Sequence, residues 1–137
     1  MVCGKMIRIE LNGRVIKKGR AVGEALKSDE PISFFGCIDK KTGVITEKGH
    51  DLEGKSVKGK ILVFPNGKGS TVGSYSLYIL KKNNVAPRAI INKDCEPIIA
   101  VGAIISEIPC VDKVDISKIK NGDRIIINNG KVVVERI

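Results

Sequence analysis

The run Gly67-Lys68-Gly69-Ser70-Thr71-Val72-Gly73-Ser74 places a lysine, a serine and glycines in one short stretch. A short apolar strand candidate, Ile61 to Phe64, precedes it. A helix candidate, Tyr75 to Lys82, follows it. Strand, glycine loop and helix start together present backbone N–H groups to an anion or a reacting group. The positive end of a helix also favours an alkoxide over an alcohol. Ser70 is therefore a candidate reactive hydroxyl, and Lys68 its candidate electrostatic support. Gly67 and Gly69 let backbone approach a carboxylate or phosphate closely, and Thr71 completes the set. The alternative duty of Ser70 is plain capping of the helix that follows.

Two nucleotide motifs fail on spacing. Gly54-Lys55-Ser56-Val57-Lys58-Gly59-Lys60 has the outline of a phosphate-binding loop. However, Ile61 stands where a hydroxyl should hold magnesium, and a strand follows instead of a helix. The glycines at 67, 69 and 73 miss the dinucleotide spacing by one residue. The chain has one histidine, His50, in a glycine-rich stretch that reads as a surface excursion from Gly49 to Gly59. A solvent-facing loop histidine is its expected role. Ser33 and Asp39 flank Phe34-Phe35-Gly36 and are candidate cleft residues. Turn and capping duties are the alternative for both. Arg88 and Lys93 flank a strand candidate and read as solvated charges that could meet an anion.

The elements that must position these groups are short. Strands are expected at Lys5–Ile9, Ile61–Phe64, Arg88–Ile91 and around Cys110. Asn12-Gly13 reads as a turn, and glycines break up Gly19 to Leu26. A second helix is expected over Ile98–Ile105 with Pro97 at its first position and Asp94 or Glu96 near its cap, although periodicity alone does not separate this run from a strand. Ile125–Ile127, Asn129-Gly130 and Val132–Val134 form a closing hairpin. Ser70 or Thr71 caps the first helix and Asn83-Asn84 stop it. The mix is several strands with two helices, without repeat or domain boundary, so residues 1–137 read as a single domain.

The chain has 137 residues, 42% of them hydrophobic, enough for a core without staples. Its net charge is +9, from 24 Lys+Arg against 15 Asp+Glu. The basic residues are scattered along the sequence (Lys17-Lys18, Lys40-Lys41, Lys81-Lys82), and no aromatic-basic stacking motif accompanies them. A solvated surface is the expected reading, and nucleic-acid binding is disfavoured. The four cysteines, Cys3, Cys37, Cys95 and Cys110, fit no standard zinc or iron–sulfur framework. No metal site is expected on this chain. No signal peptide or membrane span is visible, so reduced cysteines in a cytoplasmic protein are expected.

Three segments together resemble the aconitase X swivel-domain family. They are Phe34-Phe35-Gly36-Cys37-Ile38-Asp39 with Thr42-Gly43-Val44-Ile45, the Gly67 to Tyr75 loop, and Glu96-Pro97-Ile98-Ile99-Ala100-Val101-Gly102-Ala103-Ile104-Ile105. The likeness runs from about Ile7 to Val134. The chain departs from the family pattern at Cys37, where a second glycine is expected, and at Lys40, where proline is common. The resemblance implies an α/β fold, a swivelling β/β/α domain with β-barrel-like sheets and a few flanking helices. The stretch from Arg88 to Val134 is also similar to phosphohistidine swivel domains, but Asp94-Cys95-Glu96-Pro97 offers no histidine there.

The resemblance further implies a heterodimer of the archaeal type. A large subunit would carry a [4Fe-4S] cluster on its own cysteines, and this chain would close over it. The implied reaction dehydrates (R)-5-phosphomevalonate, a small phosphorylated hydroxy acid, to trans-anhydromevalonate 5-phosphate in a modified mevalonate route to isoprenoids. Ser70 matches the family's catalytic serine, the proton acceptor. The open iron site would polarise the departing hydroxyl. Two alternatives stand beside this one: a hydro-lyase of the same family acting on another hydroxy acid, and a basic nucleic-acid-binding module without enzymatic activity.

Overall fold

Alternating apolar residues divide the parallel strands between two cores, and that division sets the architecture. The computed structural model describes residues 6–68 and 73–136. The strands are β1 (Ile7–Asn12), β2 (Arg14–Lys17), β3 (Arg20–Lys27), β4 (Ile61–Phe64), β5 (Ala89–Asn92), β6 (Cys110–Asp112), β7 (Arg124–Asn128) and β8 (Lys131–Arg136). The helices are α1 (Gly73–Lys82) and α2 (Pro97–Ile105), with a 3-10 turn at Ile116–Lys118. Strand order is β1-β8-β7-β3-β4-β5-β6-β2. The half β3-β4-β5-β6 is parallel, and the half β1-β8-β7-β3 is antiparallel.

Period-2 side-chain alternation makes the parallel strands two-sided. Ile61, Val63, Ala89, Ile91 and Val111 face the antiparallel half, where Ile125, Ile127, Val132 and Val134 meet them. Leu62, Phe64, Ile90 and Cys110 face the other way, onto Leu77 and Leu80 of α1 and Ile99 and Ala103 of α2. The layers are therefore β/β/α, as the resemblance implied. Both helices cover one face because β4-α1-β5 and β5-α2-β6 are consecutive crossovers between neighbouring parallel strands.

Two strands join the halves. β3 pairs antiparallel with β7 over Arg20–Glu24 and then parallel with β4 over Ala25–Lys27. β1 and β2 occupy opposite edges of the strand order, yet Gly13 alone separates them. Asn12-Gly13 is thus a crossing between the halves rather than the expected turn. A Cβ at Gly13 would lie 2.5 Å from both the Asp112 carbonyl oxygen and Val111 Cγ1, so only glycine permits the passage. Likewise, Gly19 to Leu26 is dominated by one long strand rather than broken by its glycines.

The other expectations fare well. β4 is fully buried, and the closing hairpin turns at Asn129 with φ 56°. Glu96 caps α2, with Pro97 at its first position. Asn84, with φ 60°, ends α1 as its N–H reaches Lys81 O at 3.1 Å. The excursion after Gly49 is less superficial than its composition suggests. Leu52 and Val57 are buried, because Val57 N–H donates to Gly43 O and Gly54 N–H to Ile45 O. Among the described residues, no helix is long and apolar enough to cross a membrane.

Candidate active site

The glycine loop leaves the carboxyl end of β4, the edge where open parallel sheets bind ligands. After Pro65, the chain is pinned by the 32–33 segment. Ile32 N–H donates to Asn66 O at 3.2 Å, and Lys68 N–H donates to Ile32 O at 3.1 Å, forming a one-residue parallel bridge at Gly67. The α2 cap closes the other side. Glu96 carboxylate oxygens accept from Ile98 N–H at 3.2 Å and Ile99 N–H at 2.9 Å. A Cβ on Gly67 would lie 2.8 Å from Glu96 Oε1 and 2.6 Å from Ile99 Cγ1. Gly67 thus lets the loop graze the start of α2. Gly69, Ser70 and Thr71 lie outside the described residues, and so does the expected cap of α1.

Lys68 Nζ donates to Glu47 Oε2 at 2.9 Å. Cys37 stands near the same carboxylate, and the Ser33 hydroxyl close by donates to Phe35 O at 3.2 Å. The Lys68 hydrogen bond, aided by the Cys37 thiol, holds the Glu47 carboxyl below its ordinary range. The Glu47 bond in turn raises Lys68, which keeps its ammonium charged. Burial, then the nearby Glu47 carboxylate, pushes the Cys37 thiol up. The pair is screened, with Lys68 43% and Glu47 26% exposed, so its weight lies in direction more than stability.

The structure therefore brings Ser33 to the neighbourhood of Lys68. Asp39 has a different setting: its Oδ1 accepts from Lys41 N–H at 2.7 Å and Thr42 N–H at 3.2 Å. These backbone bonds hold its carboxyl below the ordinary range. Sequence reasoning did not single out Glu47, and it treated Cys37 only as a departure from a pattern. Arg88 and Lys93 stand at opposite ends of β5, so they do not converge on one ligand.

His50 is a correction. It is 5% exposed, not solvent-facing. Its Nε2 lies 3.1 Å from Pro31 O, while Nδ1 accepts Leu52 N–H at 3.1 Å. Both ring nitrogens meet backbone groups, with Asp51 Oδ1 also 3.1 Å from Nδ1, and the ring fastens the 50–52 turn to the chain entering Ile32. With Glu30 and Asp51 it forms the one group of three potential metal-ligating side chains among the described residues. The cysteines described here offer no cluster set. Cys95 and Cys110 Sγ are 3.9 Å apart, and Cys37 belongs to the Glu47 group.

A cleft of about 550 Å³ lies beside the loop, lined by Pro65, Lys93, Asp94 and Lys113 together with Asp29 and Asp115. Three carboxylates against two lysines make it a poor anion site, and neither Lys68 nor Glu47 lines it. Some of the basic residues scattered in sequence are gathered in space. Lys17, Lys18, Arg20, Lys81 and Arg88 line one concavity of about 470 Å³, with Glu107 the one carboxylate. It lies at the amino end of β5, away from the glycine loop.

The profile of the aconitase X swivel domain matches residues 10–136. A Methanosarcina acetivorans protein named phosphomevalonate dehydratase small subunit is 56% identical over 135 residues, covering 96% of this chain and 94% of its own length. A Thermococcus kodakarensis protein of the same name is 53% identical over 127 residues, covering 93% of this chain and 96% of its own. A crystal structure of Thermococcus kodakaraensis aconitase X in its holo-form superposes with a TM-score of 0.90 at 52% identity, over 92% of this chain and 98% of that one. With this likeness spread over nearly the whole length, the chain belongs to the aconitase X swivel-domain family.

Proposed function

We propose that this chain is the small subunit of a heteromeric hydro-lyase that dehydrates (R)-5-phosphomevalonate to trans-anhydromevalonate 5-phosphate. The observation that carries the proposal is the identity of 50–56% to relatives named phosphomevalonate dehydratase small subunit, over almost all of both chains. The chain works in the cytoplasm, with a larger partner that supplies the rest of the site. A [4Fe-4S] cluster is assigned to the partner, as the family resemblance implies.

The roles on this chain follow from its own groups. Dehydration removes a proton beside the substrate carboxylate and expels a hydroxyl from the next carbon. Ser70, as an alkoxide, takes the proton, and the freed electron pair becomes the new double bond. An alkoxide is a demanding base, and cationic and N–H surroundings make it accessible. Lys68 supplies a fixed ammonium two residues away, and the loop runs into the start of α1 at Gly73. Both Lys68 and Gly67 also suit an approaching carboxylate or phosphate. Closure of the two subunits excludes water, which strengthens each of these interactions.

The test is anaerobic reconstitution with the large subunit. Ser70→Ala is expected to bind the partner and leave its cluster intact while abolishing turnover of phosphomevalonate. Full turnover by that variant would remove Ser70 from the chemistry. A panel of other hydroxy acids separates the proposed substrate from an alternative within the family.

A further inference from the structure

We propose that Glu47 is a positioning residue of this site, which aims the Lys68 ammonium at the reacting groups. The inference rests on the reading of Lys68 as electrostatic support in the dehydratase. A lysine on a glycine-flanked loop has a long stem with many rotamers, and an unanchored ammonium spends little time in any one place. Here the 2.9 Å bond to Glu47 Oε2 selects one position.

The anchor is itself fixed. Thr46 N–H donates to Cys37 O at 2.9 Å, and Asp39 N–H donates to Val44 O at 2.8 Å, so the turn carrying Glu47 closes on the strand-like stretch carrying Cys37. His50 N–H donates to Glu47 O at 3.3 Å. The side chain of Glu47 then accepts from Lys68. The same 32–47 stretch grips the loop through the Ile32 bridge. One piece of chain thus sets both the backbone path at Gly67-Lys68 and the direction of the Lys68 side chain. The other titratable groups near the pair are Glu30 at Lys68 and the buried His50 at Glu47.

Glu47 itself makes a poor proton acceptor, because Lys68 holds its carboxyl in the ionised, weakly basic form. An indirect role has a distinct signature. In the reconstituted complex, Glu47→Gln should lower kcat about tenfold with KM changed less than twofold, and Glu47→Asp should recover part of the loss. Lys68→Met should lower kcat further. The double variant should match Lys68→Met alone, because Glu47 acts through Lys68. Effects of the two substitutions that multiply, or an unchanged kcat in Glu47→Gln, would overturn the proposal.

A second readout needs no turnover. With ¹³Cε-labelled lysines in the full chain, the Lys68 signal should titrate at lower pH in Glu47→Gln than in the parent. An unmoved titration would show that the pair does not form in solution. If the reconstituted parent complex fails to dehydrate phosphomevalonate while Lys68 still titrates with Glu47, the dehydratase reading fails and the ion pair stands.

Discussion

Gly67→Ala isolates the contact between the glycine loop and the start of α2. The added methyl carbon would sit 2.6 Å from Ile99 Cγ1, 3.0 Å from Ile99 Cδ1 and 2.8 Å from Glu96 Oε1. Ile99 is 3% exposed and packs in the helix-side core, so it cannot swing into solvent. Forcing one methylene into such a place costs about 1–3 kcal/mol. Glu96 must also move, and weakening its bonds to Ile98 and Ile99 N–H takes away a cap contribution of about 1 kcal/mol. Together the substitution should cost about 2–4 kcal/mol. At about 2.1 cal/mol/K per residue for unfolding entropy, that lowers Tm by about 7–14 °C in a chain of this size.

Urea and thermal unfolding of the full chain give the number directly. The double variant Gly67→Ala/Ile99→Ala supplies the control. Truncation of Ile99 opens space for the new methyl, so the two costs should add to less than their sum by about 1 kcal/mol or more. In the reconstituted complex, Gly67→Ala should also lower kcat, because Lys68 follows directly. A variant within about 0.5 kcal/mol of the parent, or strictly additive costs, would refute the close approach.

Acid unfolding and iron content test two further features. Asp112 is fully buried; burial pushes its carboxyl up, but two Arg14 bonds at 2.9 and 2.8 Å and the Cys95 N–H outweigh this and hold it below the ordinary value. Asp123 is held low chiefly by Arg136. A depressed folded pKa contributes stability that is present above the unfolded value of about 3.9 and is lost as pH falls through the folded value. Arg14→Met and Arg136→Met should therefore each move the acid-unfolding midpoint to higher pH, read by circular dichroism, and unchanged midpoints would refute the role of the pairs. Replacement of Cys37 and Cys95 by serine should leave the iron content of the reconstituted complex unchanged, and loss of iron would place a ligand on this chain.

The fold was legible where hydrogen bonding and burial act locally. Ile61–Phe64 read as a strand buried on both faces, and Pro97 with Asp94 or Glu96 before it marked the start of α2 through capping chemistry that needs no tertiary partner. The closing hairpin followed from Asn129-Gly130 between β-branched runs. Gly13 was misread because a glycine after asparagine signals a turn in isolation. Its actual cause is the carbonyl of Asp112, about a hundred residues away, pressing on the chain. His50 was misread for a related reason. A glycine-rich setting says nothing about Pro31 O and Leu52 N–H, the two backbone groups that bury the ring.

The site was legible only along one stretch of chain. Lys68 was found because its neighbours carry the loop signature, whereas its partner Glu47 lies 21 residues earlier, in a turn with no periodicity. One signal was available. Cys37 stands where a glycine is expected, and a side chain added at such a point must find room and a partner. In the structure the Glu47 carboxylate is its neighbour. Ser33, Cys37 and Glu47 come from the single 32–47 stretch that also bridges the loop at Gly67 through Ile32. A lone glycine loop can offer N–H groups and a hydroxyl, but it has no means of aiming a lysine. The aiming requires a second segment bonded to the loop's backbone and side chain at once, and the 32–47 stretch is that segment.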